Sequence, residues 1–99
     1  MVMAVPEIPC YLIEWYRPEL TEQSIDEIVD KLNAAATTMT SEGRPVQLLL
    51  TLAVPFDEVV YGLFAAFSSE TVVDACKRAD IPAQRLSVDV GARIAQPVH

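Results

Sequence analysis

The 99-residue sequence offers little nitrogen and sulfur chemistry: one histidine, His99, which is the last residue, and two cysteines, Cys10 and Cys76, far apart along the chain. Nickel and zinc prefer nitrogen and sulfur ligands converging from fixed elements, and a terminal residue is a poor anchor for either metal. Two widely spaced cysteines do not make a disulfide framework either. With three glycines there is no glycine-rich phosphate loop, and no nucleophile elbow or paired metal motif appears. Basic residues are also scarce: seven, scattered from Arg17 to Arg93 without forming a run, against fourteen acids, for a net charge of −7. Nucleic acid and anionic membrane surfaces are poor partners for such a chain. A cation or a neutral ligand suits it better, although an acidic balance ordinarily does no more than keep a small protein soluble.

A membrane-spanning run is missing too. The most apolar stretch, LLLTLAVPFDEVVYGLFAAF from Leu48 to Phe67, is broken near its middle by Pro55, Asp57 and Glu58, whereas a span needs about twenty apolar residues free of charge and helix breakers. Split there, it gives two strands, QLLLTLAV and VVYGLFAAF, joined by the hairpin connection PFDE. The opening MVMAVPEIPCYLIEWY has no basic segment followed by an apolar core and a small-residue cleavage site, so a cytoplasmic protein with reduced thiols is expected.

What remains is a well-marked element order. PCYLIEWY is dense in aromatic and β-favouring residues and stops at Arg17-Pro18, which predicts a first strand over Pro9 to Tyr16. Ile25, Ile28, Val29, Leu32, Ala35, Ala36 and Met39 then recur at helical spacing and form one apolar stripe. Thr21 or Ser24 can cap this helix, Ser24 to Glu27 has the capping-box pattern, and Gly43 is a natural stop. After the hairpin, Ser68 or Ser69 opens a second helix with Val72, Val73, Cys76 and Ala79 inward, ended by Pro82. RLSVDV alternates Leu86, Val88 and Val90 with Ser87 and Asp89, as a strand with one wet face does.

The order βαββαβ predicts an α+β, ferredoxin-like sandwich: a four-stranded antiparallel sheet with two helices on one face. One domain over residues 1–99, with its core over about residues 9–94, uses the whole chain, and its 52% apolar content suffices for one core. The uncovered face poses a problem. Leu48, Leu50 and Leu52 are expected to point one way and Leu49 and Ala53 the other, while Val59 to Phe67 is apolar on both sides. Water cannot comfortably meet such a surface, so a homodimer with sheets packed face to face, of the dimeric α+β barrel type, is expected.

YLIEWYRPELT from Tyr11, SEGRPVQLLLTLAVPFDEVVYGLF and SSETVVDACKRADIPAQRL resemble a family of small actinobacterial proteins with a ferredoxin-like fold. The matched positions include Glu14, Pro18, Thr21, the Gly43-Arg44-Pro45 turn, Ala79 and Ile81-Pro82. The resemblance, over about Tyr11 to Val90, implies this fold and, from one branch of the family, the binding of nickel; most members have no known activity. The family often has glycine where this chain has Glu19 and Asp80, and many relatives carry a histidine near the position of Leu50 and a cysteine at that of Gly62.

Glu14 is the candidate metal ligand. Lying between Leu12 and Tyr16 in a central strand, it would point into the dimer interior or its rim, and a carboxylate screened from water is the raw material of metal ligands and general acids alike. The plainer alternative is pairing with an arginine. Asp57 and Glu58 belong to the hairpin turn. Trp15, Tyr11, Tyr16 and Tyr61 could line a pocket for a flat ligand, although aromatic strand residues more often belong to core or interface. The expectation is thus a homodimeric binding protein for a divalent metal such as nickel or for a small apolar ligand. The alternative is a small enzyme of isomerase or monooxygenase type, against which stands the lack of an internal histidine to titrate near neutrality.

Overall fold

The computed structural model describes residues 2–4, 8–91 and 93–95. Its strands and helices are β1 (Val2–Ala4), β2 (Cys10–Tyr16), α1 (Glu22–Ser41), β3 (Val46–Val54), β4 (Val59–Ala66), α2 (Ser69–Arg78), β5 (Arg85–Ser87) and β6 (Arg93–Ala95), with a 3-10 turn, Pro55–Asp57, between β3 and β4. β3, β4, β2 and β5 lie side by side in that order, all antiparallel, while β1 and β6 pair with each other as a separate ribbon. The four-stranded sheet with α1 and α2 is the ferredoxin-like arrangement, and β2 carrying Glu14 is one of its two central strands.

Local chemistry fixes the helix ends. α1 starts at Thr21, whose hydroxyl accepts from the Ser24 N–H while the Ser24 hydroxyl accepts from the Thr21 N–H. The capping box therefore runs from Thr21 to Ser24 rather than from Ser24 to Glu27. Leu20 packs against the core, and starting the helix at Ser24 would give up the first turn that follows it. α1 stops at Gly43, whose φ of 88° suits glycine, with the Arg44 N–H closing back on the Met39 carbonyl. α2 ends in the same way at Asp80, with φ 61° and Ile81 N–H donating to the Cys76 carbonyl. Asp80 and Glu19, at φ 55°, are the two positions where the resembled family often has glycine, so both departures fall on left-handed backbone.

The core lies between the helices and one sheet face. Ile13, Trp15, Leu32, Met39, Phe64, Val72 and Cys76 are buried there, and Trp15 meets Phe64 edge to face with ring centroids 6.4 Å apart. The Trp15 indole N–H donates to the Ile81 carbonyl at 3.0 Å, tying β2 to the segment after α2. Two sequence expectations are corrected. A bulge between Leu48 and Leu50 shifts the β3–β4 register, so Leu48 pairs with Phe64 and Leu50 with Leu63. Phe64 and Leu63 point to opposite faces, which sends Leu48 to the core and Leu50 and Leu52 to the open side. RLSVDV yields only three strand residues, because Asp89 adopts a left-handed φ of 57° and Val88 is exposed.

Candidate functional site

Alternation along the paired strands defines the sheet face turned away from the helices. Glu14 lies on it, opposite Tyr61 on one side and Arg85 on the other, so that Leu52, Tyr61, Glu14 and Arg85 form a row across all four strands. One Glu14 carboxylate oxygen accepts the Tyr16 hydroxyl at 3.0 Å, and the other lies 3.4 Å from the Arg85 guanidinium Nε. The Glu14 side chain is 13% exposed and that of Arg85 is 67% exposed, so the carboxylate is the sheltered partner. Its hydrogen bond to Glu14 is the main reason why the Tyr16 phenol titrates above its ordinary range.

Apolar side chains surround this row. Leu50 (49% exposed), Leu52 (53%) and Tyr16 (51%) stand open to water, and Leu12 and Leu63 are half-buried beside them. Glu14 and Arg85 are the two charged side chains that β2, β3, β4 and β5 place on this face, and their charges cancel. The surface is thus apolar and neutral on a chain of net charge −7. Phe56, 97% exposed, stands in the turn of the adjoining hairpin.

The other candidates separate. Trp15 and Tyr11 belong to the helix-side core, whereas Tyr16 and Tyr61 share the open face with Glu14. Cys76 is buried in α2, and burial pushes its thiol up to about 12. Cys10 is also buried, its sulfur 3.7 Å from the Ile8 carbonyl. Asp57 and Glu58 form the hairpin turn, and Glu58 takes a left-handed φ of 55°. His99 lies outside the described residues.

Among the described residues no three of histidine, cysteine, aspartate and glutamate converge to hold a metal. Glu14 already has both oxygens engaged, one of them by a cation. Leu50 and Gly62 point to opposite faces, and a Cβ at Gly62 would sit 2.9 Å from two Trp15 ring atoms. The donor set of the described residues therefore does not fit nickel. Arg85 is the participant that the sequence reading missed. Its place beside Glu14 follows from strand register, which no local pattern encodes.

No protein-family model matches the chain, and no curated protein matches it. Among solved structures, the crystal structure of SCO4226 from Streptomyces coelicolor A3(2) superposes with a TM-score of 0.71 at 18% identity, over 84% of this chain and 99% of that one. The likeness is one of fold. Among the described residues no helix is long and apolar enough to cross a membrane.

Proposed function

We propose that this chain is a homodimeric binding protein whose two copies pack open face to open face and enclose a small apolar ligand beside Glu14, Tyr16 and Tyr61. The observation that carries the reading is the apolar, charge-neutral sheet face on an otherwise acidic molecule. Two acidic molecules repel, and the face where charge cancels is where copies can meet at least electrostatic cost. Four strands about 4.8 Å apart give a face on the order of 500 Å² in projection. A stable interface buries about 800 Å² of accessible surface per partner, and the accessible surface of projecting side chains exceeds its projection.

Glu14 then serves as a polar handle in an apolar interior, with Arg85 and Tyr16 holding its carboxylate in place. A divalent metal such as nickel is the second reading, supported by Glu14 as a sheltered carboxylate; the partner copy would have to supply the missing ligands. Isomerase or monooxygenase chemistry would ask Glu14 to move a proton while both of its oxygens are engaged, one by Tyr16 and one by Arg85.

Native mass spectrometry of untagged protein, as purified and with one equivalent of nickel, tests these readings together. A dimer that retains organic mass and no nickel is expected. A monomer would overturn the face-to-face packing, and retained nickel would favour the metal reading. Leu52→Glu, which places a charge among the exposed leucines of the face, should convert the dimer to monomer, as sedimentation would read. A Leu52→Glu dimer as stable as the parent would place the interface elsewhere.

A further inference from the structure

Outside the open face, at the turn from β2 into α1, four charged side chains line one cavity of about 140 Å³: Arg17, Glu19, Glu27 and Lys31. Ile28 and Ile81, both buried core residues, also line it, so it abuts the apolar core. The two acids and two bases do not pair with one another. Among the described residues, ion pairs within 4.0 Å join Arg44 to Asp74, Arg78 to Glu42 and Arg85 to Glu14, and none involves these four. The Arg17 backbone is fixed by its N–H, which donates to the Glu58 carbonyl at 2.8 Å, yet no partner of its guanidinium is found among the described residues. Glu27 accepts only a long bond, 3.4 Å, from the Gln23 side-chain amide. Glu27 and Lys31, four apart on α1, have the spacing at which opposite charges usually meet, and here, both exposed at the cavity, they form no ion pair within 4.0 Å.

Charges of both signs that border a cavity without joining leave a gap suited to a molecule that carries both. Two positive and two negative groups give no net charge, so a molecule carrying both signs can satisfy more of them than a plain anion or a plain cation can. At about 30 Å³ per water, the volume holds roughly four or five waters, the size of a very small organic molecule. We propose that this cavity binds a small zwitterion of the α-amino acid class, with its carboxylate on Arg17 and Lys31 and its ammonium between Glu19 and Glu27. A guanidinium facing a carboxylate supplies two parallel hydrogen bonds and is the strongest contact in such a set.

The test is a nitrogen-15 amide titration with L-alanine, run beside acetate and methylammonium, each of which carries only one of the two charges. Saturable shifts confined to the amides of residues 17–31 and of Ile81 are expected with alanine. Arg17→Gln and, independently, Glu27→Gln should each weaken binding at least about ten-fold, equivalent to about 1.4 kcal/mol. Circular-dichroism melts would check that both variants stay folded, and Lys31→Gln, at a position exposed like Glu27, should weaken binding as a third variant. The proposal is overturned if alanine gives no saturable shift, if acetate binds as tightly as alanine, or if both variants bind as the parent does. None of these outcomes bears on the sheet-face dimer, which lies outside the cavity.

Discussion

Gly62 and Trp15 show how one side chain can dictate the identity of another. The indole lies so close over β4 that a Cβ at position 62 would approach two of its ring atoms to 2.9 Å and a Phe64 ring atom to 3.1 Å. Trp15 cannot retreat, because it is buried and its N–H is bound to the Ile81 carbonyl. Gly62→Ala should therefore destabilise the fold by about 1–3 kcal/mol through overpacking, which urea unfolding would measure. Cys76 makes a second prediction. Burial raises its thiol from an ordinary 9.0 to about 12, so the native state holds the proton more tightly than the unfolded chain does. Its contribution to stability is complete below pH 9 and is lost as pH rises from there toward 12. Urea midpoints should fall across that window in the parent and fall less in Cys76→Ala measured against its own neutral value. The thiol should also resist alkylation until the protein unfolds.

At the scale of elements, termini and turns carry the specification. Thr21 and Ser24 satisfy each other's backbone donors at the start of α1, so Thr21→Ala should cost about 1 kcal/mol, read as a lower urea midpoint with unchanged slope. Glu27→Gln, which lies outside the box, should leave that midpoint nearly unmoved. The two helices are tied by Arg44 to Asp74 at 2.7 Å and by Arg78 to Glu42 at 2.8 Å, linking the end of α1 and the turn after it to α2. The Arg44 hydrogen bond holds the Asp74 carboxyl below its ordinary range, so this tie weakens as acid protonates it. The bulge at Leu49 is the element-scale feature with the widest effect, since one extra residue puts Leu48 and Leu50, which plain alternation would place together, on opposite faces. It lies on β3, an edge strand, where an irregular ladder also discourages pairing with foreign strands.

For the whole molecule, two helices cover one side of a four-stranded sheet and leave the other side apolar, with one neutralised ion pair on it among the described residues. If two copies share that face, the melting temperature should rise with protein concentration, because association stabilises only the folded state. Leu52→Glu should remove this dependence along with the dimer. A melting temperature independent of concentration over the range where native mass spectrometry detects dimers would separate association from folding and count against the shared face. The β1–β6 ribbon pairs Val2–Ala4 with Arg93–Ala95. Short segments so far apart in sequence carry no signal that they will pair, and the sequence reading did not anticipate it.

Most of the fold was legible in the sequence because it is written in local chemistry. The period-3.6 stripe from Ile25 to Met39, the hairpin break at Pro55 to Glu58 and the stops at Gly43 and before Pro82 fix two helices and the strands around them. Their order leaves one compact antiparallel arrangement, and the central place of Glu14 follows from it. Three things were decided only by tertiary structure: the partnership of Glu14 with Arg85, the outward turn of Leu50, and the convergence of Arg17, Glu19, Glu27 and Lys31 on one cavity. Each depends on register or packing between segments distant in sequence. A shift of one residue in a strand exchanges its faces while hardly altering local preference, so only the assembled sheet and the helix laid across it choose which side chains meet.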